Sequence, residues 1–342
     1  MSFTHRLKDF IRKSLYATLP GPLLVGYVRW RLPRVLNLES TTACNLACAL
    51  CPTHMLGRST RFLKDEHVQQ ILKGNHALRS VCFHVMGDPL IHPDLFDHVR
   101  EFSSRGVETH FGTNGMRMVG KSLDEMIDSG LTSVSIALDG ANAEDYVRYR
   151  RRGDFDTVVA NTRALIERKK ERGAREPRVQ LQTIMFSYNE DNEDNVKEFL
   201  ASFDADEVTL KRPSYFNDYD AWKSAETDVE PIKISRTVEY GEEFLETVDH
   251  EDDSRRYVRP REDSDQSLLR NQRMCPQLEK ATILCDGRVT ACCMDVDGRV
   301  VLGSLEDETL AEIWRGKKRA KAIQDFRERK MELCKVCDQR LE

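Results

Sequence analysis

The feature that most constrains the fold of this chain is a repeated alternation of short apolar runs with helical stretches. Runs rich in apolar and β-branched residues, typical of strands, recur at 35–38, 81–86, 108–112, 133–138, 179–185 and 207–210. Stretches with helical periodicity lie between them, at 64–72, 93–103, 122–129, 155–168 and 192–203. This alternation predicts a parallel sheet built from βα units. Right-handed crossovers curl such units into an open barrel when the shear of the sheet allows it.

The length of 342 residues corresponds to about two domains at roughly 150 residues each. After the sixth run, charged and aromatic residues without periodicity replace the βα pattern. We therefore divide the chain into a basic N-terminal helical extension, a barrel of βα units, a connector, and a small cysteine-bearing module. Their predicted bounds are 1–34, 35–212, 213–273 and 274–342.

The charge of the chain excludes some classes of partner. Its net charge of −5 gives no global basic field, so nucleic acid is not an expected partner. Residues 1–36 are basic, and we interpret them as a helix packed on an acidic body or, alternatively, as a contact with a membrane surface. The apolar stretch at 22–28 is too short to span a bilayer, and no cleavage site follows it. We therefore expect a cytoplasmic protein with reduced thiols.

The first group of cysteines follows the first predicted strand directly. Cys44, Cys48 and Cys51 form a CxxxCxxC motif. Three thiolates at this spacing can face one iron–sulfur cube, whereas a structural zinc ion normally takes four protein ligands. Three ligands leave one iron open to a substrate or cofactor. The motif lies at the C-terminal end of a barrel strand, where the active sites of such folds are found.

The second group of cysteines lies in the last 70 residues of the chain. It ends in a CxxC pair, and it comprises Cys275, Cys285, Cys292, Cys293, Cys334 and Cys337. Taken alone, this set can bind zinc or a second iron–sulfur cluster.

The CxxxCxxC motif resembles the signature of the radical SAM superfamily, which implies a partial (β/α)6, TIM-like open barrel that binds S-adenosylmethionine and a 4Fe–4S cluster. The segment 86–90, Met-Gly-Asp-Pro-Leu, resembles the family motif that receives the methionine amino group. The segment 146–150, Tyr-Val-Arg-Tyr-Arg, resembles the one that brings an arginine to the methionine carboxylate, a pairing that a guanidinium suits. The resemblance assigns cofactor binding to Gly87, Asp88, Pro89, Asn114, Ser135, Asp139 and Arg148. An alternative interpretation of 150–152 is solvated helix charge.

The C-terminal group of cysteines resembles the SPASM/twitch module, a small α+β iron–sulfur domain appended to many radical SAM enzymes. Four ligands imply one auxiliary 4Fe–4S cluster, while the fuller pattern with two auxiliary clusters needs more cysteines. The resemblance assigns the auxiliary cluster to Cys275, Cys292, Cys334 and Cys337. Cys293 is a rival to Cys292, because spacing does not separate adjacent thiols.

Three thiols remain after these assignments. Cys82 alternates within a predicted strand and is interpreted as a core thiol. Cys285 and Cys293 are candidate hydrogen-atom donors, which would make the enzyme an epimerase. An electron-accepting auxiliary cluster would instead give an oxidised product.

The resemblance implies reductive cleavage of S-adenosylmethionine to a 5′-deoxyadenosyl radical that abstracts hydrogen from a substrate C–H bond. A flavodoxin- or ferredoxin-type protein is the expected electron donor. We expect a small polar substrate, a sugar, aminoglycoside or aminocyclitol, because about 35 residues before the barrel leave no room for a leader-binding domain. The alternative is a maturase acting on a peptide or on a sulfatase. A non-catalytic iron–sulfur or zinc scaffold is the rival from another class.

Overall fold

The structure is a computed structural model that describes residues 23, 26, 30–49, 51–186, 188–189, 192–211, 275–328 and 330–334. At 54, 55, 276 and 332 it describes the backbone alone. The predicted connector, nearly all of the basic N-terminal extension, and Cys337 lie outside the described residues.

The described strands form one sheet in the order β6-β5-β4-β3-β2-β1-β7-β8-β9. Strands β1 to β6 run parallel to their neighbours. The strands are β1 (Val35–Leu38), β2 (Ser80–Cys82), β3 (Glu108–Thr113), β4 (Ser133–Ala137), β5 (Arg178–Ile184), β6 (Glu207–Lys211), β7 (Ala281–Ile283), β8 (Arg288–Thr290) and β9 (Val301–Ser304). The parallel α/β architecture predicted from the alternating pattern is confirmed.

Helices connect each strand of the parallel part to the next. They are α1 (Asp65–Leu72), α2 (Leu95–Ser103), α3 (Lys121–Asp128), α4 (Ala143–Tyr149), α5 (Phe155–Glu171) and α6 (Glu193–Ala201), followed in the C-terminal module by α7 (Leu310–Arg315) and α8 (Lys317–Arg327). Helix α4 was not predicted, because seven residues give little periodicity. Its start is marked by the Asn142 side chain, which accepts a hydrogen bond from the Asp145 amide at 2.9 Å. None of the described helices is long and apolar enough to cross a bilayer.

The two faces of the parallel sheet differ in polarity. Apolar residues such as Leu36, Val81 and Ile136 are fully buried, on the face that the crossover helices cover. Alternate residues face the inside of the barrel and remain partly exposed. Cys82 belongs to this inner set, between the buried Val81 and Phe83. Alternation therefore places Cys82 on the inner face of the sheet, opposite the helix-covered core, and burial raises the pKa of its thiol.

The C-terminal module continues the sheet of the barrel. Strand β7 pairs in parallel with β1, with Leu38 opposite Ile283, and β8 and β9 add antiparallel strands. At this junction Arg58 donates two hydrogen bonds of 2.8 Å to the buried Glu39 carboxylate. The same carboxylate accepts the Cys285 amide at 3.0 Å. One continuous sheet therefore connects the two cysteine-bearing regions.

Candidate active site

The loop that carries the first three cysteines is fixed at the C-terminal end of β1 by backbone hydrogen bonds. The Asp88 amide donates to the Ala43 carbonyl at 2.8 Å. On the other side, the Ala47 and Ala49 amides donate to the carbonyls of Arg151 and Tyr149, each at 3.0 Å. The loop is thus held between the segment after β2 and the end of α4.

Polar groups surround the sulfur atoms of this loop. The Leu46 amide donates to Cys44 Sγ at 3.4 Å, and a guanidinium nitrogen of Arg150 lies 3.5 Å from Cys48 Sγ. Burial raises the pKa of Cys44 to about 12. Burial also raises the pKa of Cys48, against an opposing effect of the Arg150 charge. Donors placed on the sulfurs stabilise the thiolate form, which binds iron.

The surroundings of the loop fit an iron–sulfur cluster. Leu46, Cys48, Tyr149 and Phe186 pack into one buried cluster, which limits access of water. Among the described side chains, no three of His, Cys, Asp or Glu type are grouped as the ligands of a metal ion. A 4Fe–4S cube takes each thiolate on a different iron, so its ligands need not converge on a single point. Thiol donors in an apolar pocket with N–H groups aimed at sulfur suit such a cube.

Gly87 is required by the close approach of two loops. Its φ of +71° is in the left-handed region, and an added Cβ would lie 2.3 Å from the Thr41 carbonyl oxygen and 2.7 Å from that of Ala43. Only glycine therefore lets the loop after β2 rest on the strand that leads to Cys44.

Asp88 connects loops within the protein. Its buried carboxylate accepts hydrogen bonds from the Leu90 amide at 3.0 Å, the Thr113 hydroxyl at 3.0 Å and the Asn114 amide at 2.8 Å. Burial raises the pKa of Asp88 despite these bonds. This carboxylate thus joins the ends of β2 and β3, and the predicted role of Asp88 in cofactor binding stays a prediction. Pro89 begins the short 3-10 turn Pro89–Ile91 that follows.

Two further predicted residues lie beside the loop and inside the barrel. The side-chain nitrogen Nδ2 of Asn114 donates to Asn45 Oδ1 at 3.0 Å and lies 3.8 Å from Cys44 Sγ. Ser135 is on the inner face of β4, paired in register with Gly112 of β3. The structure therefore brings Asn114 to the cysteine loop and Ser135 to the barrel interior.

The arginine that reaches the cysteine loop is Arg150 rather than Arg148. Its Nε donates to the buried Asp139 carboxylate, which also accepts the Ile184 amide at 2.6 Å. Arg148 is exposed, and its guanidinium lies 4.7 Å from the centre of the Tyr188 ring. The predicted cofactor contacts of Arg148 and Asp139 stay predictions, and the structure shows that Asp139 holds Arg150 beside the cysteine loop.

A sequence signal for Arg150 was present. Tyr146 and Tyr149 are buried, and positions 146, 149 and 150 share one face of a helix. That face points inward, whereas 148 lies on another face. The missing element was α4 itself, without which helical spacing was not applied to this segment.

The C-terminal thiols form a second group. Cys292 and Cys293 are hydrogen-bonded to each other, which raises the pKa of Cys292 and lowers that of Cys293. Both lie close enough to Cys275 for their charges to interact. Cys292 Sγ accepts a hydrogen bond from the Met294 amide at 3.4 Å. At the first site the donor is likewise two residues after the cysteine, because the Leu46 amide donates to Cys44. Cys334 ends the turn Glu332–Cys334.

Cys285 is separated from these thiols. Its side chain is 1% exposed, and its thiol is hydrogen-bonded to Glu39, which together with burial raises its pKa. A hydrogen-atom donor must touch the substrate carbon, and this placement gives Cys285 no open surface. The structure therefore does not favour the predicted donor role of Cys285, and Cys293 is engaged by its neighbour.

Two family models match the chain. Residues 38–202 match the radical SAM superfamily, and residues 275–338 match SPASM, an iron–sulfur cluster-binding domain. The family and the cofactors inferred from the cysteine motifs, S-adenosylmethionine and 4Fe–4S clusters, are thereby confirmed.

Curated relatives cover part of the chain. Mycofactocin maturase MftC of Mycolicibacterium smegmatis is 33% identical over 145 residues, 41% of this chain and 36% of that protein. The AdoMet-dependent heme synthase of Methanosarcina barkeri is 28% identical over 140 residues, 39% of each chain. GTP 3',8-cyclase of Chlorobaculum tepidum is 28% identical over 137 residues, again 39% of each chain. The aligned part thus spans less than two fifths of these relatives.

Solved structures share the fold over most of the chain. The enzyme anSMEcpe with bound AdoMet and Cp18Cys peptide has a TM-score of 0.57 at 17% identity and covers 90% of this chain and 88% of its own. Streptococcus suis SuiB bound to S-adenosylmethionine has a TM-score of 0.56 at 13% identity, with 90% and 72% covered. BtrN in complex with AdoMet and 2-DOIA has a TM-score of 0.50 at 15% identity, with 90% and 94% covered. At these identities the likeness is one of fold.

Proposed function

Because the chain is a radical SAM enzyme with a SPASM iron–sulfur domain, we propose that it is a maturase, which oxidises a C–H bond of a peptide or protein. The similarity to mycofactocin maturase MftC, 33% identical over 145 residues, supports a peptide substrate. We therefore propose a peptide substrate instead of the small polar substrate expected from the sequence. The transformation removes a hydrogen atom, an electron and a proton from the substrate.

Two sets of residues would hold the cofactors of this reaction. Cys44, Cys48 and Cys51 would ligate the first cluster, and Cys275 and Cys292 would belong to the auxiliary ligand set. When bound, the first cluster and S-adenosylmethionine supply the electron and the 5′-deoxyadenosyl radical that removes hydrogen, and the auxiliary cluster supplies an electron acceptor.

The residues around the first site position and shield it. Arg150, held by Asp139, keeps a positive charge beside Cys48. Leu46, Tyr149 and Phe186 exclude water around the same thiol. Gly87 lets the loop after β2 rest on the strand that leads to Cys44, where its backbone would contribute to holding the methionine portion of the cofactor.

The observation that carries oxidation over epimerisation is the pairing of β7 with β1. It fixes the strand that leads to the first cysteine loop and the strand that follows Cys275 side by side in one sheet. A fixed relation between two redox groups suits electron transfer. The buried position of Cys285 gives no comparable support to hydrogen return from a thiol.

The low potential required for this chemistry suits the reducing conditions of the cytoplasm. A flavodoxin- or ferredoxin-type protein is the proposed source of the electron. Both assignments follow from the cofactor chemistry.

The substrate class is tested by following hydrogen from substrate to cofactor product. Cells of the source organism are grown in deuterated medium, and their extract is separated into a small-metabolite fraction and a peptide and protein fraction. The anaerobically reconstituted full chain, S-adenosylmethionine and dithionite are added to each. We expect deuterium in 5′-deoxyadenosine with the peptide and protein fraction. Deuterium transfer from the small-metabolite fraction alone would contradict the proposal and favour a sugar or aminocyclitol substrate.

A further inference from the structure

The inner face of the barrel carries a group of polar side chains that the cofactor sites do not use. Lys211 ends β6, and its ammonium group donates a hydrogen bond to Gln182 Oε1 of β5 at 2.6 Å. Cys82 of β2 and His84 beyond its end alternate with the buried Val81 and Phe83, so they lie on the inner face as well. These four residues define the lumen patch: Cys82, His84, Gln182 and Lys211.

Hydrogen-bond donors outnumber acceptors in the lumen patch. An ammonium group has three donors, and Lys211 uses one of them on Gln182. The Gln182 oxygen is thereby occupied, while its amide nitrogen has two donors and no acceptor among the described residues. Partly buried donors without acceptors are costly, so a patch of this kind favours a ligand rich in acceptor atoms.

The carboxylates near Lys211 are engaged elsewhere. Glu207 is exposed at the start of β6 and accepts a hydrogen bond from Gln180 at 2.9 Å. The Asp139 carboxylate accepts hydrogen bonds from Arg150 Nε and from the Ile184 amide. Within the described part of the chain, no carboxylate forms an ion pair with Lys211. Burial lowers the pKa of Lys211, which an anionic ligand would reverse.

His84 adds no charge of its own to the patch. His84 is exposed on the inner face, and desolvation together with the positive charges of Arg150 and Lys211 lowers its pKa, so the ring is neutral at physiological pH. Gly112 leaves room for the ring, because a Cβ there would lie 2.9 Å from His84 Nδ1. The charge of Lys280 acts on Cys82 and that of Arg150 on His84 as well, so the surroundings of Lys211 are positive and suit an anionic group.

We infer that Lys211 and Gln182 bind a carboxylate of the substrate inside the barrel. The inference rests on the proposed function for its peptide substrate. Gln182 pairs in register with Thr209 and Lys211 with Ile184, but the 2.6 Å hydrogen bond holds the ammonium and carboxamide groups together, so both can donate to one carboxylate. Arg150 is held by Asp139 beside Cys48, whereas Lys211 has no carboxylate partner among the described residues.

The test measures which ligands the reconstituted full chain retains in the presence of S-adenosylmethionine. The probes are a random tetrapeptide pool with free C-terminal carboxylates and the same pool with C-terminal amides, quantified by mass spectrometry after affinity selection. The wild-type protein is expected to retain free-acid peptides preferentially. Lys211→Met is expected to lower that retention about tenfold, and Lys211→Arg to restore part of it. Lys121→Met, at a lysine whose side chain is 89% exposed on α3, is the matched control.

Other outcomes separate this inference from the proposed function. Glutarate and glutaramide form a second probe pair. If neither peptide pool is retained but glutarate binds through Lys211 in preference to glutaramide, the peptide assignment fails and the carboxylate site stands. If Lys211→Met leaves every free-acid preference unchanged, the inference is wrong. It is also wrong if the variant loses S-adenosylmethionine binding, measured by equilibrium dialysis, while peptide retention is unchanged.

Discussion

Arg150 connects the cysteine loop to the barrel through a single side chain. Its guanidinium contacts Asp139, which is fully buried, and lies 3.5 Å from Cys48 Sγ. Removing the cation leaves a buried carboxylate without its partner, which typically costs about 3–5 kcal/mol. The residue therefore acts on both the stability of the barrel and the arrangement of the first cluster loop.

Arg150→Met is predicted to lower the rate of 5′-deoxyadenosine formation at least tenfold, which corresponds to a rise of about 1.4 kcal/mol in the activation free energy. The same variant is predicted to destabilise the fold. Arg148→Met removes a matched arginine from the exposed face of α4 and should leave both properties close to wild type. Urea unfolding and the rate of S-adenosylmethionine cleavage under dithionite provide the measurements. If Arg148→Met lowered the cleavage rate and the stability more than Arg150→Met did, Arg148 would be the functional residue.

Gly87→Ala is predicted to disrupt the first cluster site. The added Cβ would meet the Thr41 carbonyl oxygen at 2.3 Å, so the loop must move away from the cysteine loop. Gly106→Ala is the matched control, since its φ of +70° is similar and an added Cβ meets nothing within 4 Å.

The control variant should lose only about 1 kcal/mol of stability from its backbone conformation and keep its iron. Iron content after anaerobic reconstitution distinguishes the two variants. Equal iron content in both would mean that the close approach at Gly87 is unimportant for the cluster.

The vicinal thiols give a prediction about ligand identity. Cys292 accepts the Met294 amide, as Cys44 accepts the Leu46 amide. We therefore expect Cys292→Ser to lose the auxiliary cluster, about four irons per chain, while Cys293→Ser retains it. Iron analysis with Mössbauer spectroscopy checks this assignment, and loss of iron in Cys293→Ser alone would transfer the ligand role to Cys293.

At the scale of elements, the junction between β1 and β7 depends on a buried ion pair. Arg58 and Glu39 are joined by two hydrogen bonds, and their side chains are 7% and 0% exposed. Arg58→Met leaves Glu39 buried without a counter-ion, so it should destabilise the protein by about 3–5 kcal/mol.

The double variant Glu39→Gln with Arg58→Met should recover part of the stability lost in Arg58→Met, because the uncompensated charge is gone. Arg105→Met removes an exposed i,i+4 pair with Glu101 and should change stability by at most about 1 kcal/mol. Urea unfolding of the four proteins provides the measurement. A loss in Arg58→Met no larger than that in Arg105→Met would show that the ion pair does not hold the junction.

The parallel strands could be predicted because their apolar runs repeat with helical stretches between them. Cysteine spacing likewise located Cys44, Cys48 and Cys51. Helix α4 was missed because it is short, and Arg150 was missed with it. The roles of Asp88 and Asp139 were also beyond prediction, since their partners Thr113, Asn114 and Arg150 are brought to them by tertiary structure.

The position of the C-terminal module could not be predicted from the sequence either. Strands β7, β8 and β9 are three or four residues long, too short for an alternating pattern. The pairing of β7 with β1 links positions about 245 residues apart, which no local pattern specifies. Fold class and ligand types follow from sequence, whereas the relation between the two cysteine regions follows from structure.

At the scale of the whole molecule, one sheet carries two thiol sites of different kinds. We propose that the first, with three cysteines, leaves a position open for S-adenosylmethionine; the second group lies on the continuation of that sheet. Because the two groups of cysteines are separate, we predict that the iron–sulfur cluster of one group can be removed without loss of the other.

Iron content and S-adenosylmethionine cleavage, measured together on three proteins, test this division most directly. The reconstituted wild-type chain should hold about eight irons and form 5′-deoxyadenosine. The triple variant Cys44→Ala, Cys48→Ala, Cys51→Ala should hold about four irons and form none, while Cys292→Ala should lose iron but still cleave the cofactor. Cofactor cleavage by the triple variant, or its absence from Cys292→Ala with the first cluster intact, would contradict the assignment of the open site to Cys44, Cys48 and Cys51.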